Sequence, residues 1–317
     1  VSALPFLALG ALPALVLARR HWLMHQHGTP PPPEPFDGVV YRVGAATVAE
    51  RRSTAPRHTV LCMHGFLEDH RYFLRHYAAD DVQLLLVTSA GYHLPVKAPV
   101  ERPADWARVP AAPEGSIAYD AEVLLQALEH LVHTPSVRVH GHSRGGAVIL
   151  EAASRRPDLF ENVEVVLEAP VLPQGRQYRA MSRAQLWLLP FFIGAWRKEP
   201  ISRRNLPTWG PLDDARKKEL ISAYPSNVRT VATMVHNIED LDRWMREKDA
   251  SLFRHVKRGV VLVPGKDKVL DAKAMLAAAQ ACGGHLDVVQ LEGCSHFPLF
   301  DRPDAVPPLG GVASATG

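Results

Sequence analysis

Cysteine is scarce, with only Cys62, Cys282 and Cys294 among 317 residues. So few thiols cannot form the framework that staples small secreted domains. A Cys282–Cys294 pair would still leave one over, and cysteine usage leaves the compartment open. Charge of one sign is equally scarce. Lys and Arg number 36 against 33 Asp and Glu, a formal net charge of +3. That is too little to hold a polyanion, and no basic stripe interleaved with aromatics runs through the chain, so nucleic acid is not an expected partner. The 16 histidines include no His-Glu-x-x-His pair of the zincin type. His21, His25 and His27 form at best a weak metal motif, and neither metal nor cofactor is expected. No internal repeat appears, which sets aside solenoids and propellers.

What is present suits a folded enzyme. Hydrophobic residues make up 47% of the chain and charged residues 22%, enough to bury a full core, most simply as one domain with an insertion. An antiparallel strand pair is expected within 39–50. Strands follow near 58–64, 82–88, 137–141, 163–169, 259–264 and 286–291. Helical patterns lie between them, clearest at 117–133 and 270–281. Apolar strands alternating with helices predict an α/β fold with a mostly parallel twisted sheet covered on both faces.

The most informative segment is Val137-Arg-Val-His-Gly-His-Ser-Arg-Gly-Gly146. A β-branched strand runs into Gly141-His142-Ser143-Arg144-Gly145, and a small-residue helix pattern follows at once. This is the G-x-S-x-G arrangement, in which a sharp strand-to-helix turn lifts the serine hydroxyl clear of the sheet. The competing reading is a plain βα loop with Ser143 as a helix cap. A nucleophilic serine also needs a base, a group to orient the base, and donors for an oxyanion. Upstream, the strand at 59–63 ends in His64-Gly65-Phe66, where the Phe66 amide can point at a developing oxyanion. The Arg144 amide would be the second donor. Downstream, Gly265-Lys266-Asp267-Lys268-Val269 and Ser295-His296-Phe297 each follow an apolar strand. Asp271 and Glu168 are the rival acids, and His285 is the rival histidine.

Taken together, these motifs resemble the α/β-hydrolase fold over roughly residues 40 to 300. The resemblance implies Ser143 as nucleophile, His296 as general base and Asp267 as the carboxylate that orients it. Phe66 and Arg144 supply the oxyanion-hole amides in that reading. His64, Gly65 and His142 are expected at the substrate site, with the His142 and Arg144 side chains lining the mouth of the pocket. The implied activity is a serine hydrolase cleaving carboxylic esters with a hydrophobic acyl or aromatic part, through an acyl-enzyme. The alternatives are a thioester or C–C bond hydrolase or an acyltransferase on the same triad, or a non-catalytic, membrane-tethered binding protein on this scaffold.

Five segments are expected: an N-terminal helix at 1–23, a Pro-rich linker at 24–37, a hydrolase core at 38–170 and 257–303, a helical cap at 171–256, and a flexible tail at 304–317. The cap would follow the sixth strand of the sheet. Its bulky cluster, with Trp187, Phe191 and Phe192, is expected to line an apolar substrate chamber. The run Val1–Ala18 carries no charge and precedes Arg19-Arg20. It reads as a membrane anchor with the catalytic domain in the cytoplasm. The alternatives are a cleaved signal on a secreted or periplasmic protein, or a helix that packs on the enzyme itself or mediates dimerisation. The linker is expected to be stiff and extended, holding the domain off whatever the helix binds. The residues after Phe300 are too rich in Pro and Gly for a regular helix, so the closing helix usual in this fold is expected to be absent, truncated or replaced by another segment such as the N-terminal helix. Oligomeric state is not legible.

Overall fold

Strongly apolar, β-branched segments such as Val82–Thr88 can satisfy their backbone only by pairing. In the computed structural model, which describes residues 4–98, 100–284 and 286–311 with side chains from residue 12 onward, they pair into one nine-stranded sheet. Helix α1 (Leu4–Met24) and a short strand β1 (Glu34–Pro35) come first. An antiparallel hairpin follows, β2 (Val39–Val43) and β3 (Ala46–Arg51). Next are β4 (His58–Met63), the one-turn helix α2 (Arg71–Leu74), β5 (Val82–Thr88), β6 (Val96–Lys97) and β7 (Val100–Pro103). The α/β alternation continues with α3 (Ile117–Leu131), β8 (Ser136–His142), α4 (Arg144–Arg155) and β9 (Val163–Glu168). Four helices are then inserted: α5 (Arg183–Lys198), α6 (Leu206–Trp209), α7 (Ala215–Asn227) and α8 (Val231–Glu247). The chain closes with β10 (Arg258–Pro264), α9 (Ala272–Gln280), β11 (Asp287–Leu291) and α10 (Pro298–Asp301).

The strand order is β11-β10-β9-β8-β4-β5-β3-β2-β7. From β11 to β5 every pairing is parallel, and β3 pairs antiparallel with both β5 and β2. Alternation along each strand divides the core in two. Leu61 and Met63 of β4 join the apolar layer beneath α3 and α4. Val60 and Cys62 join the opposite layer, which includes Ile221, Met234 and Val235 of the insertion. Because the central strands are parallel, their C-terminal ends lie on one edge, where loops in an open α/β sheet gather functional groups.

Three segments depart from expectation. Among the described residues no helix is long and apolar enough to cross a membrane, which does not support the membrane-anchor reading. Helix α1 contains Pro13 and carries Arg19, Arg20 and His21 in its last turns. It packs instead against α5 and α8, and Arg20 Nε donates to the Trp187 carbonyl at 2.9 Å. The Pro-rich run does not hold the domain at a distance but lies on it. Gly28 N donates to the Arg229 carbonyl, β1 pairs with β6, and the Glu34 carboxylate accepts from Arg71 at 3.0 Å and Arg216 at 2.8 Å. The tail is fastened as far as Pro308: the buried Arg138 guanidinium donates to the carbonyls of Pro307 (2.7 Å) and Pro308 (2.8 Å). Residues 312–317 lie outside the described residues. Cys62, Cys282 and Cys294 are free and buried.

Candidate active site

Met63 and Gly141 are register partners at the ends of β4 and β8, and this adjacency brings the loop after β4 beside the turn after β8. The turn itself is sterically demanding. A Cβ on Gly145 would lie 2.1 Å from the Met63 carbonyl oxygen, and one on Gly141 would lie 2.6 Å from the Gly145 backbone. Only glycine permits that approach. Ser143 between them has φ 52° and ψ −117°, a left-handed conformation that a side chain rarely adopts. Its amide donates to the Glu168 carbonyl at 2.9 Å, so the strain is held in place by the neighbouring strand.

His296 stands opposite, in the loop between β11 and α10. Its Nε2 lies 3.0 Å from Ser143 Oγ and its Nδ1 lies 2.6 Å from Asp267 Oδ2. The other Asp267 oxygen accepts the amides of Val269 (2.7 Å) and Leu270 (2.9 Å). One carboxylate therefore caps the following backbone and faces the histidine. With both oxygens of Asp267 accepting, Nδ1 carries the ring proton and Nε2 can accept from the serine hydroxyl. All three side chains are buried. The rival acids are engaged elsewhere. Asp271 caps α9 through the Ala274 amide and pairs with Arg176. Glu168 binds Tyr72 Oη and the Leu299 amide, both at 2.6 Å, and His140 at 3.0 Å. Burial alone would raise the Glu168 carboxyl, but His140 and Tyr72 donate to it and the charges of His142 and His140 add to this, holding it at about 2. His285 lies outside the described residues.

The loop after β4 is fixed by side chains distant in sequence. His64 accepts the Ser89 amide at Nε2 (3.1 Å) and donates from Nδ1 to the Gly65 carbonyl (2.8 Å). Burial lowers its pKa, so it shapes the loop as a neutral ring. Leu67 has φ 62°. Its amide donates to Tyr92 Oη at 3.0 Å, and its carbonyl accepts from Asn227 at 2.8 Å. Between these anchors the Phe66 amide has no acceptor among the described residues. Arg144 is the first residue of α4, so its amide has no intrahelical acceptor either.

Several expected substrate contacts lie elsewhere. The Arg144 side chain runs into the interior, 2.6 Å from Asp120, rather than to a pocket mouth. His142 is also fully buried, between Glu68 Oε2 at 2.6 Å and the His296 carbonyl at 2.7 Å. Gly65 is pressed against the Glu68 carboxylate, to which its amide donates at 2.8 Å. Trp187, Phe191 and Phe192 are exposed, Phe192 at 62%, and enclose no chamber. They occupy the outer face of α5, while Leu186, Leu189, Ile193 and Trp196 face the body. The His296 ring lies 4.9 Å from His142 and 5.4 Å from Phe297, on which Tyr224 and Trp209 of the insertion pack.

Glu68 was not singled out from the sequence, nor were Tyr72, Tyr224, Asp120 and Lys217. One local signal existed: His140 and His142 are two apart on a strand and so share a face, marking that face as polar at its end. Glu68, His142 and His296 are also the one group of potential metal ligands close together among the described residues. Every ring nitrogen in it already faces an acceptor or Ser143, so no imidazole lone pair is left free for an ion.

The sequence profile of the alpha/beta hydrolase family matches residues 60–307, and the chain belongs to that family. It matches none of the curated proteins. Among solved structures it is similar to an esterase from Exiguobacterium antarcticum (TM-score 0.59, 13% identity, covering 84% of this chain and 95% of that one). It is also similar to the N-acyl homoserine lactonase AidH bound to N-butanoyl homoserine (TM-score 0.56, 13% identity, 85% and 93% covered). A bromoperoxidase from Bacillus anthracis is similar too (TM-score 0.54, 12% identity, 82% and 92% covered). At such identities the likeness is one of fold, and the chemistry has to be argued from the site.

Proposed function

We propose that the protein is a serine hydrolase of carboxylic esters, with Ser143 as nucleophile, His296 as general base and Asp267 as its orienting carboxylate. The observation that carries this reading is the unbroken chain Ser143 Oγ–His296 Nε2–Nδ1–Asp267 Oδ2, at 3.0 and 2.6 Å, ending on a serine held at positive φ. His296 takes the hydroxyl proton as Ser143 Oγ bonds to the ester carbonyl carbon. Asp267 stabilises the imidazolium, and the Phe66 and Arg144 amides hold the oxyanion. Collapse expels the alcohol with the proton from His296. A water, deprotonated by the same ring, then releases the acid from the acyl-enzyme. Each backbone donor to the oxyanion is worth about 2.7–4 kcal/mol of barrier. The esterase and lactonase among the similar structures support ester chemistry. An apolar acyl or aromatic group on the substrate is part of this reading, with Phe297 edge-on to the His296 ring at 5.4 Å.

Turnover of p-nitrophenyl esters from acetyl to palmitoyl, with Ser143→Ala as control, tests the reading. Serine-dependent hydrolysis with an optimum chain length is expected. Folded wild-type protein that hydrolyses no ester overturns it and turns attention to thioester or C–C substrates.

A further inference from the structure

Beside the Ser143–His296 pair lies a buried charged chain that the proposed ester chemistry leaves unused. Glu68 Oε2 accepts the Gly65 amide at 2.8 Å, and Oε1 accepts Tyr224 Oη at 3.0 Å. Burial would raise the Glu68 pKa, but His142, His296 and the Gly65 amide bring it below the usual value, so with an amide and a phenol donated to it the group is a carboxylate. His142 Nδ1, 2.6 Å from the same Oε2, must therefore donate to it. The other ring nitrogen lies 2.7 Å from the His296 carbonyl oxygen. A carbonyl can only accept, so Nε2 donates as well. With a proton on each nitrogen, His142 is an imidazolium, stacked on Tyr72 at 4.6 Å and 21°.

The surroundings agree with that charge. Burial by itself would lower the His142 pKa. The charge and hydrogen bond of Glu68, the charge of Glu168 at the end of β9 and the His296 carbonyl outweigh it and raise it to about 9. His140 on the same strand and His296 are the other titratable rings nearby, and the Tyr72 and Tyr224 phenols are held protonated by burial.

We propose that the Glu68–His142 ion pair is a positioning clamp between the loop that carries the Phe66 amide and the loop that carries the His296 ring. Glu68 grips the first loop through the Gly65 amide, and His142 grips the second through the His296 carbonyl. With Glu68 ionised, the charge is what allows both grips at once, because a neutral imidazole has a single N–H to donate and both Glu68 and the His296 carbonyl can only accept. The clamp rests on the ester-hydrolase reading, in which Phe66 and His296 act on one substrate carbonyl. Neither Glu68 nor His142 touches the reacting atoms, so their effect falls on kcat rather than KM.

Two measurements on the full chain test it. In protein with ¹⁵N-labelled histidine, assigned against His142→Gln, both His142 ring nitrogens are expected to be protonated at about pH 8, where an ordinary histidine of pKa about 6.5 is neutral. A neutral signature there overturns the proposal whether or not Glu68→Gln folds. In Glu68→Gln the imidazolium loses its counter-charge. A drop of about 100-fold in kcat with KM little changed is expected, the scale of an ångström-sized misplacement of catalytic groups. The alkaline limb of kcat should move to lower pH. Folded Glu68→Gln with wild-type kcat and an unmoved alkaline limb also overturns the clamp. Failure of the ester reading is recognised separately: wild-type protein then hydrolyses no ester, while the ring-nitrogen signals still decide the ion pair.

Discussion

Replacing Asp120 by alanine removes the anion in direct contact with the Arg144 guanidinium. Both side chains are completely buried, with Nη1 2.6 Å from Oδ2. The remaining partners of Arg144 are the Gly115 carbonyl at 3.1 Å and Ser89 Oγ at 3.5 Å, too few to solvate a cation away from water. Breaking such a pair from one side costs about 3–5 kcal/mol, because a buried charge is left uncompensated. Unfolding entropy of about 2.1 cal/mol/K per residue over roughly 300 residues makes 1 kcal/mol worth about 1.6 °C. Asp120→Ala should therefore lower Tm by about 5–8 °C in a calorimetric or circular-dichroism melt. The double variant Asp120→Leu with Arg144→Met replaces the pair with apolar groups and should recover most of the loss. The Arg144 amide survives in both variants, so both should retain ester turnover. Asp120→Ala with wild-type Tm and abolished turnover would refute this reasoning and put the carboxylate in the chemistry.

Stability should fall on both sides of neutrality in a series of melts between about pH 4 and about pH 10. His70 and His76 are held neutral chiefly by burial, at about 3 and about 4. The unfolded chain takes up protons there from about pH 6.5 downward, so stability is lost as the pH falls. His142 has the opposite sign: raised to about 9, it contributes fully below about 6.5 and loses that contribution as the pH climbs through 9. An alkaline limb that persists unchanged in a folded Glu68→Gln, His142→Gln double variant would contradict this assignment. Gly145→Ala would place a methyl group 2.1 Å from the Met63 carbonyl, forcing β4 and the Phe66 loop to move. Ester turnover should drop at least about 100-fold, and a fully active Gly145→Ala would show that the turn is not as tight as described.

The residues legible in the sequence are those whose meaning is local. Gly141 and Gly145 flank Ser143 because the turn admits no Cβ, and that constraint is written in five consecutive letters. Ser143 and Asp267 follow runs apolar enough to be buried parallel strands, His296 follows the half-apolar edge strand β11, and parallel strands put their following loops on one edge. What α1 and the proline run would rest against was not legible, since apolar character says that a face is covered and not by what. The cluster in α5 was misread for a related reason. Its length and aromatic content are evident, but only the 3.6-residue period separates the inward Leu186, Leu189, Ile193 and Trp196 from the outward Trp187, Leu188, Phe191 and Phe192.

The charged residues were the hardest to read, and the reason is general. A lone Glu, Arg or Lys in a sequence defaults to the surface, because burying it unpaired is prohibitive. Burial becomes affordable only through a partner, and here the partners are remote: Glu68 with His142, Asp120 with Arg144, Arg138 with Glu164, Lys217 with Asp301. No local period encodes such pairs, so Glu68 reads as an ordinary loop acid until the fold is known. The same remoteness gives these contacts a shared consequence. Tyr224 and Asn227 of α7 hold Glu68 and the Leu67 carbonyl, and Lys217 of the same helix reaches Asp301 and Ser295 beside His296. One inserted helix thereby grips both the loop bearing the Phe66 amide and the loop bearing the proposed base. A change of sequence in α7 would therefore reposition both loops of the proposed active site.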